Sequence, residues 1–176
     1  MMKRLQTMSL GLGVLLVMTL PLLAQRGMRG KTDITLSGKT VSINYGRPSL
    51  HGRTIQQMLA MPSPTGKFWR LGANESTTFS TGVPLAFGKV TVPAGTYSLW
   101  AEHVGNNHWE LVFNTQHGQW GTHHNPQLDI AKALLHEEKV ADSADLVTIK
   151  LTGEESGGRL SIQWGDLMLA ANFRAQ

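Results

Sequence analysis

Apolar and polar positions alternate with a period of two along most of this chain. Val41, Ile43 and Tyr45 interleave with Ser42, Asn44 and Gly46, the pattern of a strand with one buried face. Trp109, Leu111 and Phe113 repeat it, as do Val147, Ile149 and Leu151, and then Leu160, Ile162 and Trp164. Turn residues bound each run: Ser37-Gly38, Pro93-Ala94-Gly95, Gly105-Asn106-Asn107, Ser156-Gly157-Gly158 and Gly165-Asp166. Short strands spaced roughly ten residues apart with Gly and Pro between them predict an all-β fold, an antiparallel β-sandwich, jelly-roll-like, of about eight to ten strands. Only residues 54–61 change period. Ile55, Met58 and Leu59 lie at i, i+3 and i+4, which predicts one short helix before Pro62 and Pro64 end it. Residues 132–139 suit a helix or a buried strand equally.

The N-terminus follows a different rule. Lys3 and Arg4 precede an apolar run over 10–23, closed by small Ala24, the layout of a cleavable signal peptide over residues 1–24. The run carries Gly11, Gly13 and Pro21 and falls short of the roughly 20 apolar residues a spanning helix needs, so no stable membrane anchor is expected. Residues 25–32 read as a flexible leader and 33–176 as a single domain. The expected location is periplasmic or extracellular.

Composition narrows the function classes. The chain has no Cys, which excludes disulfides, thiolate catalysis and Cys-ligated zinc. The formal charge of +4 drops by two when Lys3 and Arg4 leave with the signal, and no basic run follows beyond the short 26–31 arm. A nucleic-acid partner is not expected.

Three stretches stand together: Tyr45-Gly46-Arg47-Pro48-Ser49 with Gly52-Arg53 behind it, Phe68-Trp69-Arg70-Leu71-Gly72-Ala73-Asn74-Glu75, and Val92-Pro93-Ala94-Gly95-Thr96-Tyr97-Ser98-Leu99. With Phe113-Asn114 and Trp120-Gly121, they make residues 33–175 resemble the bacterial exported domain-of-unknown-function family number 2911. The chain departs from that pattern at Thr122-His123-His124, where the family has an aromatic shortly after the Trp-Gly pair. The resemblance implies fold and compartment and carries no chemistry.

Candidate chemistry begins with a polar strip. Arg47, Arg53, Arg70, Asn74 and Glu75 bracket the predicted helix in a chain only 16% charged. The planar guanidinium fork suits carboxylate, phosphate or sulfate, and Trp69 and Trp120 offer faces for a sugar ring or a cation. These seven residues form the expected site of a small polar ligand, anionic or carbohydrate-like. The competing structural role has Arg70 or Arg53 paired with Glu75 and Asn74 bonded to a turn backbone. Trp109 and Trp164, in phase with apolar strand faces, are expected in the core, whereas Trp100 has room to face outward.

Two other functions remain open. Glu75 beside Ser76, Thr77 and Thr78 would serve a hydrolase as acid or base, alone or as a carboxylate pair with Glu102 or Glu110, although no nucleophile motif accompanies it. His103, His108, His117, His123, His124 and His136 crowd 34 residues, yet none has the spacing of a metal-binding pair. No cofactor or metal is expected. The reading is an exported binding or scaffolding module, with a hydrolase or a His-bound divalent metal protein as alternatives.

Overall fold

The computed structural model describes residues 28–106 and 108–176, so the expected signal peptide lies outside the described residues. The first strands are β1 (Arg29–Leu36) and β2 (Lys39–Gly46), followed by helix α1 (Ile55–Leu59). Then come β3 (Phe68–Trp69), β4 (Thr78–Thr81), β5 (Leu85–Phe87), β6 (Val90–Val92), β7 (Gly95–Gly105) and β8 (His108–Asn114). A 3-10 turn (Pro126–Leu128) leads into β9 (Asp129–Glu138), and β10 (Ala144–Glu154), β11 (Gly157–Gly165) and β12 (Leu167–Ala175) complete the chain.

All strands join one antiparallel sheet whose main path is β1-β2-β4-β7-β8-β9-β12-β11-β10. The all-β antiparallel expectation with one short helix is met. The arrangement is finer than a two-sheet jelly roll: a single sheet rolls round until its two ends, β1 and β10, lie side by side. Rolling hides the two edges that an open sheet would leave for other chains to pair with.

The seam between these ends is held mainly by side chains. Leu151 N–H donates to Thr32 Oγ1 at 3.1 Å and Tyr45 Oη–H to the Ile149 carbonyl at 3.1 Å. Arg47 Nε–H reaches the Val147 carbonyl at 3.1 Å, and its Nη2 donates to Thr148 Oγ1 at 3.3 Å. Beyond β2 the backbone takes over, with Val147 N–H on the Pro48 carbonyl (3.1 Å) and Leu50 N–H on Asp145 (2.9 Å).

The inward faces of the strands form one continuous core. Val41, Ile43, Leu99, Leu111, Phe113, Ile149, Leu160 and Ile162 are all buried there, so each alternating run sends its apolar set inward. Of residues 132–139, all but Lys139 fall in β9, where Ala131, Ala133 and Leu135 are buried and Lys132, Leu134 and His136 face out. Trp100 points to the outer face of β7, away from the core that holds Leu99 and Ala101, and is nonetheless fully buried. Its indole N–H donates to Ser98 Oγ at 3.0 Å and its ring packs on His124.

The leader expected over 25–32 is corrected from residue 29 onward, because Arg29, Gly30, Lys31 and Thr32 pair with Gly46, Tyr45, Asn44 and Ile43 in β2. Gly30 belongs in this strand because the Tyr45 ring lies over it. A Cβ there would meet Tyr45 Cζ at 2.6 Å, so the ring takes the place of the missing side chain.

Candidate functional site

Three of the stretches that carry the family resemblance, at Gly46, at Arg70 to Asn74 and at Gly121, meet at one backbone knot. A Cβ on Gly46 would sit 2.2 Å from the Ala73 carbonyl oxygen, and one on Gly72 would sit 3.1 Å from the Gly46 backbone. Only glycine lets the two chain segments approach this closely. Gly121 N–H donates to the Asn74 carbonyl at 2.7 Å, and a Cβ there would meet Arg70 Cδ at 3.1 Å. Leu71 and Asn74 both have positive φ, 53° and 63°. These two residues make a tight double bend directly after Arg70.

Beside this knot, the connection from β2 to β3 crosses one end of the barrel. Thr54 caps α1: its Oγ1 accepts from Gln57 N–H while the Gln57 side chain accepts from Thr54 N–H, a reciprocal capping box. Ile55 anchors the helix, since a Cβ on Gly165 would lie 3.3 Å from Ile55 Cβ and from Leu50 Cδ1. Lys67 holds the far end through an ion pair with Glu102 on β7. That carboxylate is 1% exposed and also takes Lys132 at 2.6 Å. Burial pushes the Glu102 carboxyl up, but the hydrogen bonds and charges of Lys132 and Lys67 outweigh it and hold the group below the usual carboxylate range.

Between this connection and the barrel end is a cleft of about 710 Å³. Its aromatic floor comes from three strands. The Trp69 ring stacks on Trp164 with centroids 5.7 Å apart and meets Trp109 edge-on at 6.4 Å. His103 stacks on the other flank of Trp109 at 4.5 Å. Trp164 is oriented by its indole N–H, which donates to the Asp145 carbonyl at 3.1 Å. Met58, Phe68 and Arg70 also line the cleft.

Arg70 is the polar element of this wall. Its Nε–H donates to the Gly72 carbonyl at 3.1 Å, and the guanidinium forms no ion pair among the described residues. Burial lowers its pKa from the ordinary arginine value. No buried side-chain nitrogen or oxygen among the described residues lacks a partner, so the terminal nitrogens meet solvent. The result is a half-buried cation with hydrogen-bonding capacity to spare.

Of the seven residues expected to form the site, only Trp69 and Arg70 line the cleft. Arg47 closes the barrel seam, and Arg53 Nε–H donates to the Leu50 carbonyl at 3.0 Å. The Glu75 carboxylate lies 3.9 Å from Arg29, so the ion pair expected with Arg53 or Arg70 goes to a different arginine. Asn74 contributes its backbone to the knot, and Trp120 is half exposed, paired to Glu75 by a β-bridge. Trp109, Trp164 and His103 are additions. The two tryptophans each sit one or two residues from a hairpin turn on inward-facing positions, and that shared position was the available signal that they meet at one barrel end.

The remaining histidines are dispersed. His124 is enclosed between Phe68 and Trp100, with Nε2 2.9 Å from Asp129 Oδ1, and no three His, Asp or Glu side chains converge as metal ligands among the described residues. Among those residues no helix is long and apolar enough to cross a membrane. A family model described as Protein of unknown function (DUF2911) matches residues 28–173. No curated protein and no solved structure matches the chain.

Proposed function

The chain belongs to that family, and we propose that it is an exported binding module that takes a small polar ligand into the cleft at the barrel end. The observation that carries this reading is Arg70, a half-buried guanidinium without a carboxylate partner among the described residues, facing a cleft floored by Trp69, Trp109 and Trp164. An arginine whose role is structural normally has its fork taken up by a carboxylate or by several carbonyls. Arg70 uses one N–H in that way and leaves the rest for something that enters the cleft. Barrel mouths with an apolar lining and few polar groups are common places for small ligands.

Export rests on Lys3, Arg4 and the apolar run over 10–23, and the compartment is the periplasm or the extracellular space. A hydrolase centred on Glu75 has less support, since that carboxylate lies beside Arg29 and no Asp or Glu lines the cleft.

The test is a thermal-shift screen of the protein against sugars, small acids and phosphate esters. A ligand that binds only the folded state raises the melting temperature by mass action. The expected hit loses its effect in Trp69→Ala and Arg70→Met variants that still fold. A hit that persists in both variants would place binding elsewhere.

A further inference from the structure

The cleft wall carries cations and no anions. Lys67 and Arg70 line it, and no aspartate or glutamate does. Lys67 is already matched by the buried Glu102 carboxylate, so Arg70 is the one permanent cation of the wall without an ion-pair partner among the described residues. One free guanidinium fork is filled by one carboxylate. A phosphate monoester, which carries about 1.5 to 2 negative charges near neutral pH, would call on a second cation in reach, and Lys67 is drawn to Glu102, whose single charge it shares with Lys132.

Hydroxyl-rich ligands fit the lining less well. A sugar needs hydrogen-bond partners spread around its ring, and the neutral polar side chains of the wall are Gln56, Ser63, Thr65 and Thr122. Thr65 Oγ1 already donates to the Phe68 carbonyl at 2.6 Å and contacts Ser63 Oγ at 2.8 Å, which removes that pair from use. The rest of the wall is aromatic, thioether and aliphatic, with Trp69, Trp109, Met58 and Met61 among it. Thioethers adapt to hydrocarbon and to aromatic edges, and indole faces take flat apolar bodies.

We infer that the ligand of this cleft is a monocarboxylate carried on a flat or hydrocarbon body, with the carboxylate on the Arg70 fork and the body against Trp69 and His103. This rests on the cleft being a binding site. The fork supplies two parallel N–H donors to one carboxylate, and desolvation beside the indoles strengthens that contact relative to open water.

Calorimetric titration of the full chain with four probes tests the assignment: 3-phenylpropionate, its neutral isostere 3-phenylpropanamide, phenyl phosphate, and methyl glucoside. The acid is expected to bind roughly tenfold or more tighter than the amide, the size of one charge-assisted contact. Arg70→Met should erase the gap between acid and amide, and Trp69→Ala should weaken both. If Arg70→Met does not fold, Arg70→Lys, which keeps the charge and loses the fork, is read instead, with a reduced acid-to-amide ratio expected. Equal binding of acid and amide, or tighter binding of the phosphate or the glucoside, would overturn the carboxylate assignment. If that binding still depends on Trp69, the cleft reading survives. Absence of binding by all four probes, or binding indifferent to Trp69→Ala, would overturn the assignment and remove the support for the cleft as well.

Discussion

The Trp69 ring lies almost parallel to the Trp164 ring, with centroids 5.7 Å apart and planes inclined by 14°. One comes from a two-residue strand at the end of the β2–β3 connection and the other from the end of β11. Their stack therefore fastens the connection to the barrel and at the same time builds the cleft floor. Replacing Trp69 with Ala removes both functions. The expected cost is about 2–3 kcal/mol, below that of a fully buried tryptophan because Trp69 is only partly covered. Chemical denaturation measures the loss, and an unchanged midpoint would mean that the stack contributes nothing to folding.

Arg47 gives the opposite prediction. Its fork is spent on the Val147 carbonyl and Thr148 Oγ1 across the seam, so Arg47→Met should lower stability by about 1–3 kcal/mol. Ligand binding in the folded variant should be unaffected. A double-mutant cycle with Thr148→Val reads the coupling directly, and strict additivity would contradict the proposed contact.

Glycine at position 46 is required by space alone, since Gly46 is not among the residues with positive φ. Gly46→Ala places a methyl 2.2 Å from the Ala73 carbonyl oxygen, and the backbone rather than a flexible side chain must give way. A loss of about 3 kcal/mol or more is expected. Gly38→Ala is the control: nothing lies within 4 Å of its Cβ, but its φ of 71° makes it a test of backbone conformation alone. That should cost about 1 kcal/mol. Equal losses at the two positions would contradict the steric account.

Glu102 predicts how stability varies with pH. Its folded pKa lies below the unfolded value because Lys132 and Lys67 outweigh its burial. Its contribution is therefore present above the unfolded glutamate value of about 4.3 and is lost as pH falls through the lower folded pKa. Lys132 is raised, chiefly by its hydrogen bond to Glu102. Its share is present below the unfolded lysine value of about 10.4 and fades as pH rises through the folded one. Glu102→Gln should cost about 1–3 kcal/mol at pH 7, with the gap to the parent protein closing in strong acid. A gap of constant size down to the acid limit would show that the carboxylate charge is not what matters.

Much of the fold was legible because strands with one buried face leave a period-two record. Val41 to Tyr45 and Trp109 to Phe113 state their inward faces outright, and Ile55, Met58 and Leu59 ahead of Pro62 mark the helix. The roll of the sheet into a near-barrel left no such trace. Closure depends on Tyr45 and Arg47 reaching strand β10 about a hundred positions away, and no local pattern encodes a partner at that distance. The polar strip was misleading for a related reason. Arg47, Arg53 and Arg70 look alike in sequence, but what separates them is which backbone carbonyls fold back to meet each fork. Arg70 is the one of the three that lines the cleft, and it makes a single hydrogen bond where Arg47 and Arg53 each make two contacts. The β1 residues 29–32 escaped notice because Arg, Gly and Lys have little strand character alone, and Gly30 becomes a good strand residue only under the Tyr45 ring.

The most direct test of the cleft as a binding site is two-dimensional ¹⁵N NMR of the indole and backbone amides during titration with 3-phenylpropionate. The account predicts that shift changes concentrate on the indole N–H groups of Trp69, Trp109 and Trp164 and on the amides of Arg70 and His103, and that Trp120, Glu75 and Arg47 stay still. Changes centred on Trp120, Glu75 and Arg47, or none at millimolar probe, would contradict it.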